Sequence, residues 1–156
     1  YFRKIIEIME THIGKNLGKI IQKEILSAKE SLLISSPGIS FFIGKKIFEK
    51  AQNGIKTKII TSEDGGSDSQ ETNKMALKLL NDNKIQQFLD YKIINSDIIE
   101  LIHPKIYIVD NKCAIVGSAN LTKNSFYNYV EFIQIFNNKK DIEIIKNDYN
   151  KLWKLF

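Results

Sequence analysis

The chain has 156 residues, 43% of them hydrophobic and 26% charged, which is typical of one soluble globular domain. The absence of any run of about 20 apolar residues excludes a transmembrane helix, and nothing after Tyr1 resembles a signal peptide. The net charge of +5 favours a polyanionic partner, either nucleic acid or an anionic membrane surface.

The small number of cysteines and histidines limits metal and redox chemistry. Cys113 is the single cysteine, so the chain cannot form an internal disulfide, which fits a reducing compartment. His12 and His103 are the only histidines, and so few nitrogen and sulfur ligands disfavour a zinc site within one chain. We therefore expect a cytoplasmic protein that needs neither a metal nor an organic cofactor.

The positive charge comes almost entirely from lysine, since Arg3 is the only arginine. Lysine is a point charge that suits phosphates, whereas arginine is the usual bidentate reader of guanine. If nucleic acid is the partner, we expect contacts to its backbone more than readout of its bases. The abundance of lysine, isoleucine and asparagine fits a bias in genome base composition equally well.

Helices and strands alternate in the first half of the chain. Residues 1–12 suit either a helix or an edge strand. Apolar residues at helical spacing predict helices over 13–29 and 40–53, the second ended by Gly54. Short apolar or alternating runs predict strands over 31–36 and 55–61.

Strands cluster in the second half. A polar loop is predicted over 63–69, then one or two helices over 70–90. Strands follow over 92–95, 103–110, 113–119 and 129–136, and an amphipathic helix over 141–156. This order predicts an α/β fold, an α/β/α sandwich on a mixed sheet, formed by residues 1–156 as a single domain.

The segment from His103 to Asn120 carries the side chains best suited to chemistry. Side chains alternate along a strand, so His103 and Lys105 should point the same way. A tight turn at 111–112 would return the next strand beside them, with Ser118 and Asn120 on one face of it. A histidine, an ammonium, a hydroxyl and an amide gathered there could bind a phosphate and attack it. Each of these residues alone is more often structural, and their joint spacing is what indicates a site.

That spacing, HxKxxxxD followed by GSxN, resembles the signature of the phospholipase D superfamily. Every defining position is filled, by His103, Lys105, Asp110, Gly117, Ser118 and Asn120. Glu131 falls where members of the family place an acidic residue that orients the histidine. Pro104 stands at the variable position, where a strand end tolerates its missing N–H. The resemblance extends to residues 25–37 and so spans most of the chain.

The resemblance implies a metal-independent phosphodiesterase that forms a covalent phosphohistidine. His103 would attack the phosphorus of a diester as the nucleophile. Lys105 and Asn120 would bind the non-bridging oxygens and offset the charge of the transition state. A second, protonated histidine would donate to the leaving oxygen.

Three further residues would support this chemistry. Ser118 would position the phosphate or the imidazole, and Glu131 would accept from the imidazole and fix its tautomer. Asp110 would hold the local structure rather than transfer a proton.

The second histidine must come from elsewhere, because this chain contains one motif. His12 lacks the motif, since Gly14 stands where lysine would be. Single-motif members of the family form a two-fold dimer with both motifs at the interface. We therefore expect a homodimer in which His103 faces His103 of the other copy.

Three functions remain open from the sequence. The basic charge and the small single-motif chain favour a nuclease acting on DNA or RNA. The alternative is a phospholipase or phosphatidyl transferase, for which the apolar segment 41–48 would form a membrane-facing patch beside Lys45 and Lys46. Helical spacing favours a core position for that segment instead. The third, a binding module that has lost catalysis, is disfavoured because the motif is complete.

Overall fold

A computed structural model describes residues 9–65, 67–82, 85–95 and 102–156. The helices and strands, in chain order, are β1 (Met9–Gly14), α1 (Gly18–Ser27), β2 (Ser31–Ser35), α2 (Phe41–Gln52), β3 (Lys56–Ser62), α3 (Ser67–Leu80), β4 (Leu89–Ile94), β5 (Ile106–Val109), β6 (Cys113–Gly117), α4 (Lys123–Tyr127), β7 (Glu131–Phe136) and α5 (Lys139–Lys154).

The seven strands form one mixed sheet in the order β1-β7-β6-β5-β2-β3-β4. Strands β2, β3 and β4 are parallel, whereas β5, β6, β7 and β1 join by antiparallel pairing. As a result, β2, β3, β4, β6 and β1 all end at one edge of the sheet, where β5 and β7 begin. We call this edge the catalytic edge, because every candidate site residue except Asp110 lies there.

Helices cover both faces of the sheet, which confirms the predicted α/β/α sandwich. On one face, Ile21 and Ile25 of α1 pack with Ile43 and Ile47 of α2 in a fully buried core. On the other face, Tyr149 of α5 lies in a second buried cluster. The Tyr149 hydroxyl donates to the backbone carbonyls of Lys58 at 3.0 Å and Ile34 at 3.3 Å, which fixes α5 against β2 and β3.

Several predicted boundaries were wrong for identifiable reasons. The helix expected over 13–29 begins only at Gly18, because β1 pairs with β7 as far as Gly14. The strand expected over 103–110 is shorter, Ile106–Val109, because Pro104 lacks an N–H and Asp110 has a positive φ of 52°. Residues 70–90 combine most of α3 with a turn and the start of β4. The polar loop ends early, as α3 begins at Ser67. Residues 1–8 of the ambiguous N-terminus lie outside the described residues.

The apolar segment 41–48 forms most of α2 and lies largely in the core. Ile43, Ile47 and Phe48 are buried, and the Phe42 ring packs edge-on against Phe126 with centroids 5.6 Å apart. Phe41 is exposed. The membrane-facing patch considered from the sequence is therefore wrong for these buried residues, and the core assignment is confirmed.

Candidate active site

A hairpin places the two halves of the motif side by side. Strands β5 and β6 pair antiparallel, as the sequence predicted, and the structure sets the register, with Ile106 opposite Val116. Beyond the ladder, Gly117 N–H donates to the Lys105 carbonyl at 3.4 Å, so the segment after β6 passes beside the segment before β5. Positive φ angles of 52° at Asp110 and Asn111 form the connecting turn, which these two residue types tolerate.

His103 and Lys105 are in direct contact at the catalytic edge. The Lys105 Nζ lies 2.9 Å from His103 Nδ1, 3.0 Å from Nε2 and 2.8 Å from its backbone carbonyl. A neutral imidazole has one acceptor nitrogen, so one of the two ring contacts at most is a hydrogen bond. His103 is exposed, whereas Lys105 is only 5% exposed. Burial lowers the pKa of Lys105, and the negative charge of Glu131 opposes that shift.

Ser118 and Glu131 form the second pair of site residues. The Ser118 hydroxyl donates to the Glu131 carboxylate and accepts from the Phe132 N–H at 3.0 Å. Between these two described residues and His103 the structure shows no hydrogen bond, so the predicted contact of Glu131 with the imidazole of the same chain is not made. Glu131 is 8% exposed, and its negative charge acts on both Lys105 and Tyr107.

Gly117 allows the strands that carry these residues to approach closely. A Cβ atom at this position would lie 2.1 Å from the Phe132 carbonyl oxygen, too close for any side chain. The Ser118 N–H donates to the same carbonyl at 2.9 Å. The glycine of the motif is therefore required by the packing of β6 against β7, which brings Ser118 to Glu131.

Asn120 lies in the loop after β6, with its side chain turned inward. Its Oδ1 atom is buried and has no hydrogen-bond partner among the described residues. Because the oxygen and nitrogen of an amide are assigned from their surroundings, the observation is of one buried amide atom without a partner. A buried polar atom without a hydrogen bond costs free energy, and a bound ligand can supply the missing partner.

The sequence analysis did not identify the residues that hold this loop. The Tyr107 hydroxyl donates to the Ala119 carbonyl at 2.6 Å, and the Ser36 hydroxyl accepts from the Leu121 N–H at 3.0 Å. The Asn120 N–H donates to Ser125 Oγ at 3.2 Å. The buried strand predicted over 31–36 already ended in Ser35-Ser36, and two buried serines at a strand end are the signal that was available.

Asp110 lies at the other end of β5, away from the other five site residues. Its carboxylate accepts from the backbone N–H groups of Ser31 at 2.9 Å, Glu30 at 2.8 Å and Lys29 at 2.9 Å. Burial alone would raise the Asp110 pKa, but these three donors together with the Lys112 ammonium lower it below the ordinary value. The motif thus contributes five residues to the catalytic edge and one to the opposite edge.

His12 lies outside this group of site residues. His12 is on β1, and its Nε2 lies 3.5 Å from a carboxylate oxygen of Glu10. No three histidine, cysteine or carboxylate side chains converge into a potential metal site within the described ranges. In the same ranges, no helix combines the length and the apolar character needed to cross a bilayer.

Comparison with known proteins identifies the family of this chain. Residues 21–153 match the family model described as "Cardiolipin synthase, PLD-like domain". A curated relative, the DISARM protein DrmC of Bacillus paralicheniformis, is 24% identical over 140 residues, which cover 83% of this chain. The chain spans 56% of the length of that relative.

Two solved structures have the same fold over almost their whole length. Nuc of Salmonella typhimurium, a phospholipase D family member, superposes with a TM-score of 0.71 at 22% identity, covering 94% of this chain and 95% of that one. NucT of Helicobacter pylori gives 0.70 at 21% identity, covering 94% and 96%. Together with the filled motif, these findings confirm the resemblance noted in the sequence: the chain belongs to the PLD-like family, within the phospholipase D superfamily of phosphodiester-acting proteins.

Proposed function

We propose that this chain is a metal-independent nuclease that hydrolyses DNA or RNA through a phosphohistidine intermediate in a homodimeric active site. The observation that carries the proposal is the contact of the His103 imidazole with the Lys105 ammonium, at the edge where Ser118 meets Glu131. A nucleophile, a cation and hydrogen-bonding groups then face one open site.

In the first step, a nitrogen of neutral His103 attacks the phosphorus. An N–P bond forms, the P–O bond to the leaving group breaks, and the leaving oxygen takes a proton from an imidazolium. The phosphate draws the Lys105 ammonium from the imidazole to a non-bridging oxygen, and the side-chain NH2 group of Asn120, placed at the buried amide position without a partner, donates to a second one. Ser118 holds the Glu131 carboxylate, which orients an imidazole once the dimer is complete.

In the second step, water cleaves the N–P bond and restores His103. The histidine that lost its proton now acts as a general base and takes a proton from this water. Both roles need a second histidine that can approach the phosphate from the opposite side of His103. In this proposal it is the His103 of a second copy, and the two imidazoles titrate as a coupled pair.

Exposed apolar side chains beside the site support docking of a second copy. Val130 is 66% exposed and Tyr129 56%, and both directly precede Glu131. Ile13 of the edge strand β1 is 74% exposed, and the next residue, Gly14, pairs with Glu131. A cluster of large apolar groups around a catalytic residue is typical of a surface that another chain covers.

Positive charge together with burial of the apolar segment 41–48 favours nucleic acid over lipid as the substrate. The net charge of +5 comes from lysines that can neutralise successive phosphates. The apolar segment considered as a membrane patch lies mostly in the core, with Ile43 and Ile47 fully buried.

The decisive test combines a metal chelator with removal of the nucleophile. Purified protein is incubated in excess EDTA with single-stranded DNA, duplex DNA, RNA and phosphatidylcholine vesicles. We expect cleavage of nucleic acid that persists in EDTA and falls by roughly 10⁴-fold or more in His103→Ala. A His12→Ala protein is the matched control and should keep its activity.

Three results would contradict the proposal. Loss of cleavage in EDTA would indicate metal-dependent chemistry. Turnover of the vesicles with intact nucleic acid would assign the site to a lipid diester, and binding of nucleic acid without cleavage of any substrate would indicate a binding module.

A further inference from the structure

The outer side of α1 carries an open groove that runs from the catalytic edge. Its first part, of about 330 Å³, is lined by Lys19, Gln22, Lys23, Leu26 and Tyr127. Lys19 and Lys23 are four residues apart on the helix, so their side chains extend from the same side. Two ammonium groups, an amide and an aromatic ring line this part, and none of its five lining residues is a carboxylate. We call it the α1 groove.

The aromatic wall of the α1 groove is held in place from behind. Tyr127 is 39% exposed, and its ring packs edge-on against the buried Phe126 with centroids 6.2 Å apart. Gly18 brings α1 close to this pair, since a Cβ there would lie 2.0 Å from the Phe126 ring. Lys19 Nζ lies 6.0 Å from the centroid of the Tyr127 ring. A planar group could take the place of this ammonium on the ring, and the ammonium could then bind an adjacent anion.

The groove continues along α1 toward α2. Leu26 also lines a second groove of about 360 Å³, together with Lys46, Glu49, Lys50, Asn53 and Ile55. The two grooves adjoin at Leu26, and their lining residues together include four lysines and one carboxylate, that of Glu49. Lys50 Nζ donates to the Ala28 carbonyl at 3.0 Å, which leaves Lys19, Lys23 and Lys46 as the cations best placed for a ligand.

The path starts beside the candidate active site. Tyr127 ends α4, and the hydroxyl of Ser125 in the same helix accepts from the Asn120 N–H at 3.2 Å. The ten residues of α1 extend about 15 Å, which is the length of about four stacked nucleotides. A polymer with a phosphate near Asn120 would therefore meet Tyr127 at the end of α4 and then α1.

We propose that the α1 groove binds the single-stranded nucleic acid that flanks the scissile phosphate, with one base stacked on Tyr127 and phosphates against Lys19 and Lys23. This inference rests on the proposed function and adds the strand type and its path. Stacking requires an unpaired base, because a duplex does not present the face of its bases to the side. Lysine binds the charge of a phosphate, and tyrosine stacks on the flat face that every base has. Binding in the groove is therefore independent of base sequence.

The lysines are tested by binding in a protein that cannot cleave. The His103→Ala protein is titrated with a fluorescently labelled single-stranded oligonucleotide, and anisotropy is measured at several salt concentrations. Adding Lys19→Gln and Lys23→Gln together should weaken binding about tenfold and reduce the salt slope by about 1.4, which is about 0.7 for each phosphate contact. The control protein carries Lys139→Gln and Lys140→Gln, an equal charge change on α5, which lies on the other face of the sheet. These substitutions should leave the affinity and the salt slope unchanged.

Tyr127 is tested by the difference between two substitutions. Tyr127→Leu should weaken binding of the single strand about tenfold and leave binding of a duplex unchanged. Tyr127→Phe keeps the ring and should bind the single strand as the unsubstituted protein does. Equal affinity of the Leu and Phe variants, equal salt slopes of the two lysine pairs, or no binding of single strands would overturn the inference.

A small chromogenic phosphodiester separates this inference from the proposed function. Such a substrate occupies the catalytic edge and does not reach α1, so the groove variants should hydrolyse it normally while they cleave oligonucleotides poorly. Hydrolysis of the small diester with unaltered oligonucleotide binding in the groove variants would overturn the groove and leave the nuclease standing. Binding that depends on the groove, with no hydrolysis of either substrate, would overturn the nuclease and leave the groove standing.

Discussion

At the scale of single residues, the carboxylate of Asp110 holds the turn between α1 and β2. It accepts from three consecutive backbone N–H groups, which would otherwise be left without partners beside β5. Their donation stabilises the ionised form, so the Asp110 pKa lies below its ordinary value even though burial acts against this. Asp110 also has a left-handed backbone with a φ of 52°, which Asn can adopt as readily as Asp.

We predict that Asp110→Asn lowers the free energy of unfolding by about 2 kcal/mol at pH 7, because hydrogen bonds to a charge are lost while the volume and turn are kept. A depressed pKa contributes stability above the unfolded pKa of about 3.9 and loses it as the pH falls through the folded pKa. The difference between the two proteins should therefore decrease progressively as the pH falls below about 3.9. Urea unfolding between pH 7 and pH 2 measures it.

Asp148→Asn is the matched control for this prediction. Asp148 pairs with Lys151 at 2.7 Å on the exposed side of α5, where both side chains are at least 60% exposed. Exposed ion pairs contribute little, so we expect a change of less than about 0.5 kcal/mol. A pH-independent loss in Asp110→Asn, or an equal loss in the control, would contradict the role given to the Asp110 carboxylate.

At the scale of elements, β5 positions the loop that follows β6. Tyr107 is 1% exposed, and its hydroxyl reaches across the hairpin to the Ala119 carbonyl, one residue before Asn120. Ser36, at the end of β2, holds the other side of Asn120 through the Leu121 N–H. Two neighbouring strands, β5 and β2, therefore set the position of Asn120, the residue proposed to bind the phosphate.

We predict that Tyr107→Phe lowers kcat about tenfold, because the freed Ala119 carbonyl lets Asn120 move relative to the phosphate. The variant should also lose about 1 kcal/mol of stability, the usual cost of one buried hydrogen bond. Steady-state cleavage and urea unfolding measure the two effects. KM should change less than kcat, because the charged groups that bind the substrate remain.

Tyr91→Phe separates positioning from stability in this experiment. The Tyr91 hydroxyl donates to Asn73 Oδ1 at 2.6 Å, between β4 and α3, so its removal costs a similar hydrogen bond elsewhere. We expect a similar loss of stability with unchanged kcat. If both variants lose kcat equally, Tyr107 acts only through stability.

Local patterns in the sequence predicted most elements but few of their ends. Helical spacing located α1, α2 and α5, and the turn residues Asn111 and Lys112 predicted the hairpin that brings Lys105 to Ser118. The five-residue helix α4 was not predicted, since it is too short to show a period. Its start is set by Thr122, whose Oγ1 accepts from the Ser125 N–H. The residues that hold the loop around Asn120 were missed, because Tyr107 and Ser36 reach Ala119 and Leu121 only through tertiary packing.

At the scale of the whole molecule, the sheet order could not be predicted from the sequence. β1 pairs with β7 at one side of the sheet, more than 100 residues away in the chain, and no local pattern records that pairing. The motif itself was informative because its spacing encodes a hairpin and a close approach of strands. Residues 1–156 contain one motif histidine, whereas the proposed chemistry uses two.

We predict that a heterodimer of the unsubstituted chain with His103→Ala is inactive. The proposed site uses one His103 as nucleophile and the other as proton donor, so the loss of either removes the single composite site. Two independent sites would instead leave about half of the activity. The heterodimer is obtained by co-expressing the two chains with different affinity tags and purifying on both in turn, and its cleavage rate is compared with that of both homodimers.

A heterodimer of the unsubstituted chain with Lys139→Gln, purified in the same way, controls for the tags and should be fully active. Retention of about half of the activity in the His103→Ala heterodimer would show that each chain contains a whole site. Failure to recover any complex that carries both tags would show that the chain does not dimerise. In that case the second proton donor would have to lie in the same chain, and His12 on β1 would be the next residue to substitute.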